Sequence, residues 1–158
     1  MASALLLLTV TVLYASYNLF VKVSSGHVPE GATSTILATM CLQVAGLSTS
    51  IVFLCILLAR GGQVLQLTPS AYLWAVAAGL CIGSAEIAYF YLFGGVAGIK
   101  PMPASVAIPV IVSGTIVISQ FAGVLLFGEQ MSWVKAAGSS CIILGIVLLF
   151  QGKGLLHV

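Results

Sequence analysis

Glu86 is the residue of this chain best placed by type and position to do chemistry. It stands in Gly83-Ser84-Ala85-Glu86-Ile87-Ala88-Tyr89-Phe90, well inside a long apolar run. A carboxyl group held in hydrocarbon is costly, and where one occurs it is a functional-site candidate by default. Apolar surroundings disfavour the charged form of such a group, so Glu86 is read here as a proton- or cation-coupling residue. The competing reading is a fixed hydrogen bond or ion pair, with Asn18, Tyr14 or Lys22 as partner. The two other acids, Glu30 and Glu129, fall at the edges of apolar runs.

Polar residues also recur at helical spacing. Tyr14, Asn18 and Lys22 are four apart and share a face of one helix. Thr35, Thr39, Gln43, Gly46 and Ser50 make a stripe on the next, and Ser105, Pro109, Ser113 and Gln120 a third. Ser, Thr and Gly commonly serve helix packing in membranes. Three aligned stripes carrying Asn18, Gln43 and Gln120 instead point to a polar pathway, with Tyr14, Asn18, Gln43, Ser105, Ser113 and Gln120 as candidate substrate contacts. Pro109 removes a backbone donor and is expected to kink its helix, a feature that borders binding sites in transporters.

Enzymatic constellations are missing from the sequence. His27 falls in a loop and His157 in the tail, neither beside a metal-ligand neighbour, and no Gly-rich phosphate loop precedes a Lys. Cys41, Cys55, Cys81 and Cys141 sit singly in apolar runs, where Cys acts as a small packing residue. The expectation is a protein that is not an enzyme and uses no cofactor and no metal.

The elements that must position these residues follow from composition. Of 158 residues, 61% are hydrophobic and 5% charged, against roughly 25% charged in a soluble domain. Mean hydropathy is +1.23. Eight charges cannot coat a water-facing surface, which excludes a soluble enzyme, a disordered chain and a disulfide-stapled secreted domain. A net charge of +2 without clustering excludes a nucleic-acid partner. Spanning hydrocarbon takes about 20 apolar residues per helix, and the runs are long and unbroken, unlike the alternating strands of a membrane barrel. The spacing predicts an all-α polytopic membrane protein, one domain over 1–158, with five spans at about 4–24, 32–59, 71–97, 103–127 and 132–150. The first is expected to be a retained span and not a signal peptide, since it lacks a basic leader and a small-residue cleavage site. Thr68-Pro69 is expected to cap the third, and Trp74 and Trp133 to anchor near span ends.

With five spans the loops alternate sides. Arg60 and Lys135 fall on one side, and Lys22, Lys100 and Lys153 on the other. So small a bias in the residues that set orientation is compatible with insertion both ways round and with an antiparallel pair of copies.

The fourth and fifth spans carry Pro103-Ala104-Ser105, a mid-helix Pro109, Gly128-Glu129 closing the helix, and Gly138 and Gly145 in the last helix. Together with Tyr89-Phe90-Tyr91-Leu92 and Lys22 ending the first span, these resemble the EamA domain of the drug/metabolite transporter superfamily, over nearly the whole chain. Glu86 is not part of that pattern. Most members of the family hold two such domains in tandem, as an inverted repeat about a central cavity, whereas this chain holds one. The resemblance implies a five-helix half-transporter that moves small organic metabolites or drugs by alternating access. It would lie in a cell (plasma or inner) membrane and pair as an antiparallel homodimer or with another half-unit. Lys22, Pro109, Gly128 and Glu129 would have structural or gating roles, Gly128-Glu129 shaping the turn. The alternative is a non-transporting accessory or scaffold subunit.

Overall fold

The computed structural model describes residues 2–62, 64–95 and 98–151. They form five α-helices and, among the described residues, no strand: α1 (Ala2–Ser25), α2 (Ala32–Ala59), α3 (Pro69–Gly94), α4 (Ala104–Phe127) and α5 (Trp133–Gln151). The first four are long and apolar enough to cross a membrane. The apolar helix Trp133–Leu149 of the fifth is shorter. Lys153, His157 and Ala97, the expected end of the third span, lie outside the described residues.

Local signals explain the helix ends. The Thr68 side chain accepts a hydrogen bond from the Ala71 N–H at 3.3 Å, with Pro69 in the first turn. α3 stops at Gly94, because Gly95 turns left-handed (φ 72°, ψ 37°) and donates its N–H to the Tyr91 carbonyl. A Cβ on Gly95 would fall 2.5 Å from Pro101 Cγ and Cδ, so only glycine fits there. Glu86 therefore lies eight residues from the end of its helix, or about 12 Å at the α-helical rise.

Two compact units make up the chain, 1–101 and 102–158. In the first, α1, α2 and α3 pack on one another. Asn18 meets Tyr89 and Lys22 meets Phe93, so α1 and α3 run in the same direction. Burial in this unit is confined to one end, where Val21, Thr35, Thr39, Phe90 and Phe93 are almost fully enclosed. Leu5 to Leu8 of α1 and Val52 and Phe53 of α2, at the opposite end, are exposed. The three helices thus converge at one end and part towards the other.

In the second unit α4 packs on α5. The α4 helix runs through Pro109, whose missing N–H deprives the Ser105 carbonyl of its i+4 donor. It ends at left-handed Gly128 (φ 65°), and the N–H groups of Gly128 and Glu129 both point to the Gly123 carbonyl.

Candidate functional site

A groove of about 570 Å³ opens where α1, α2 and α3 begin to part. Its walls come from Leu13, Tyr14 and Tyr17 of α1, from Leu42, Gln43, Gly46 and Leu47 of α2, and from Gly79, Ile82, Gly83 and Glu86 of α3. These positions bracket the midpoints of all three helices. Tyr17 and Glu86 lie nearest the convergent end; Gly46, Leu47 and Gly79 lie towards the open one. Gly46 and Gly79 each have open space where a Cβ would project, which keeps the groove wide between α2 and α3.

Glu86 is 6% exposed, yet it belongs to the groove wall. Its Oε2 has no hydrogen-bond partner, and the same is true of the Tyr17 hydroxyl. Among the described residues these are the two buried side-chain polar atoms left unsatisfied. The two groups are neighbours on α1 and α3 of one groove, where the Tyr17 phenol and the Glu86 carboxyl interact with each other outside ordinary hydrogen-bond geometry. No ion pair reaches Glu86 among the described residues, where the one salt bridge joins Lys135 to Glu129. Tyr14 and Tyr17 stack edge to face, with centroids 6.4 Å apart and planes at 80°. Gln43 Nε2 donates a long bond of 3.5 Å to the Gly83 carbonyl, which fastens α2 to α3 beside the carboxyl group.

The polar stripes divide by function. From the α1 stripe, Tyr14 reaches the groove, whereas Asn18 is buried and its Oδ1 accepts from the Tyr89 hydroxyl at 3.0 Å. Lys22 does not turn to Glu86. Its Nζ donates to the Phe93 carbonyl at 3.3 Å and sits 5.1 Å from the Phe93 ring centroid. A cation thus meets one of the last carbonyls of α3, where helix ends favour positive charge. From the α2 stripe, Gln43 and Gly46 line the groove. Thr35 and Thr39 are buried, each bonded to the carbonyl four residues back. Those two positions serve packing.

Ser105, Ser113 and Gln120 belong to α4, in the second unit. Gln120 Oε1 accepts from the Ser139 hydroxyl of α5, and so joins the two helices of the second unit. Glu129 folds back over Gly123, where a Cβ would fall 3.1 Å from its Oε2, and its carboxylate lies 3.9 Å from Lys135 Nζ. Gly128 and Glu129 therefore build the turn between α4 and α5.

Tyr17 is the groove residue that the stripe of four-residue spacings leaves out. Its signal in the sequence is the i+3 step from Tyr14, which also puts two residues on one helix face. No cluster of three or more metal-ligating side chains occurs among the described residues. Neither a family model, nor a curated protein, nor a solved structure matches this chain.

Proposed function

We propose that the chain is a membrane-embedded half-transporter of EamA type that moves small organic molecules by alternating access. In this reading it works as an antiparallel dimer and takes substrate in the α1–α3 groove. One observation carries the proposal: an almost fully buried carboxyl group, without an ion-pair partner among the described residues, stands at the closed end of an open groove halfway along three membrane-length helices. Polar sites at mid-depth are where transporters bind their cargo, and a helix bundle built for packing alone has no reason to keep an acid such as Glu86 there. Tyr14, Tyr17 and Gln43 supply the other contacts, and Glu86 is the proposed coupling site. The low Lys/Arg bias between loops supports two opposite insertions.

The test uses single cysteines in a background lacking the four native ones. At Gln43 and Gly46 a membrane-impermeant thiol reagent is expected to react, while Phe53→Cys, exposed at the diverging end away from the groove, stays silent. Silence at Gln43 and Gly46 would overturn the transport reading. Reporter fusions at both termini should find each end on both sides of the membrane. In a transport assay, Glu86→Gln is expected to abolish the pH dependence.

The accessory-subunit reading has its own support. Asn18, Thr35, Thr39 and Gln120 all bond within the helix bundles, as expected of residues that serve packing. It predicts no labelling at either groove position.

A further inference from the structure

We infer that a second groove, along the seam between α1 and α2, is the lateral entrance by which uncharged molecules dissolved in the bilayer reach the central groove, with Leu13, Tyr17 and Leu42 as the partition. The entrance rests on the transport reading and narrows its cargo to lipophilic molecules.

The second groove measures about 440 Å³, within the usual range for small-molecule sites, roughly 300–1,000 Å³. Ser16 and Phe20 of α1 and Ala38 and Cys41 of α2 line it, and buried Phe90 of α3 completes it. Leu13, Tyr17 and Leu42 belong to its wall and also to the wall of the central groove. The two spaces therefore meet at these three residues, whose side chains change rotamer far faster than helices move.

The seam between α1 and α2 is also the least fastened in this unit. Asn18 and Lys22 bond α1 to α3, and Gln43 bonds α2 to α3. Among the described residues no hydrogen bond or salt bridge joins α1 to α2, and α1 packs more closely on α3 than on α2. Lipid tails are as apolar as leucine, so no hydrophobic force holds such a seam shut in a bilayer. Parting it sacrifices van der Waals contact, which an apolar ligand restores. The groove opens on the exposed surface of the two helices, where Phe20 is 71% exposed and Cys41 is exposed; in a membrane that surface faces lipid. An ion arriving from that side would have to cross hydrocarbon unpaired, so the cargo of this route is uncharged.

The experiment uses the full chain in lipid nanodiscs and 3-(trifluoromethyl)-3-phenyldiazirine, an uncharged apolar photolabel that partitions into bilayers, with adducts located by mass spectrometry. Ile82 lines the central groove and not the second one. Phe53, exposed at the diverging end, is the reference for label arriving directly from lipid. The wild type is expected to carry adducts at both. Cys41→Trp and Ser16→Trp, which plug the second groove and leave the partition in place, should lower the ratio of Ile82 to Phe53 adducts about threefold or more. Cys41 lies on the exposed surface, so its replacement leaves helix packing in place. Leu42→Ala, which thins the partition, should raise the ratio about twofold or more. Excess naphthalene should compete with the label at Ile82, and naphthalene-2-sulfonate should not. A wild type without Ile82 adducts, an unchanged ratio in either plugged variant or in Leu42→Ala, or equal competition by the sulfonate overturns the inference. Labelling of Gln43→Cys by the impermeant thiol reagent separates the failures. A groove labelled from water whose Ile82 adducts ignore the plugs loses the lateral entrance and keeps transport, whereas an unlabelled groove loses both.

Discussion

Replacing Gly95 with alanine isolates the cost of the connection that closes the first unit. Gly95 sits at φ 72°, a left-handed conformation that costs a residue with a Cβ about 1–2 kcal/mol. The new methyl carbon would also stand 2.5 Å from two Pro101 ring carbons and 3.0 Å from the Ile99 carbonyl. A proline ring cannot swing aside as the end of a long side chain can, so overpacking adds about 1–3 kcal/mol. The expected loss is therefore about 2–5 kcal/mol. Gly98 is the internal control: its φ is 81°, and nothing lies within 4 Å of a Cβ placed there, so Gly98→Ala should cost the strain alone, about 1–2 kcal/mol. Both variants are measured by SDS titration in mixed micelles, with Trp74 fluorescence as the reporter in a Trp133→Phe background. Adding Pro101→Ala to Gly95→Ala should recover the packing part and leave the backbone part. Equal losses for Gly95→Ala and Gly98→Ala would refute the seating of Pro101 against Gly95.

Other perturbations test the remaining contacts. A double-mutant cycle on Asn18→Ala and Tyr89→Phe should give a coupling of about 0.6 kcal/mol and no more than about 1.7, the range for interhelical hydrogen bonds in membranes, read by the same titration. Lys135→Ala should change stability by under about 1 kcal/mol, because its pair with Glu129 is long and both side chains are more than half exposed. Cys55 and Cys141 are exposed on the protein surface within apolar helices; in membranes they should resist an impermeant maleimide, react with a lipid-soluble one, and become accessible to both after SDS. Labelling of native membranes by the impermeant reagent at those two positions would contradict a lipid-facing surface.

Different levels of this protein become visible in different ways. Charge scarcity and unbroken apolar runs suffice to predict five helices, because backbone groups without water must bond within the helix. Local chemistry is equally legible at Thr68-Pro69 and Gly128, where capping depends on near neighbours alone. Glu86 stands out unaided, since an acid in such surroundings has few explanations.

Asn18 and Gln43 show where this legibility stops. Each is an amide at helical spacing within a polar stripe, yet Asn18 closes on Tyr89 and Gln43 lies along the groove. Lys22, one turn beyond Asn18, serves the end of α3 and not Glu86. Periodicity assigns a residue to a face of its own helix, but the partner on that face is set by how neighbouring helices cross and where they diverge. Convergence at Val21, Thr35 and Phe90, and the parting of the helices beyond, turn one end of the α1 and α2 stripes into packing and the middle into a groove. Tyr17 enters the site for the same reason: helix-to-helix geometry, absent from any single segment, brings its hydroxyl beside the Glu86 carboxyl of α3.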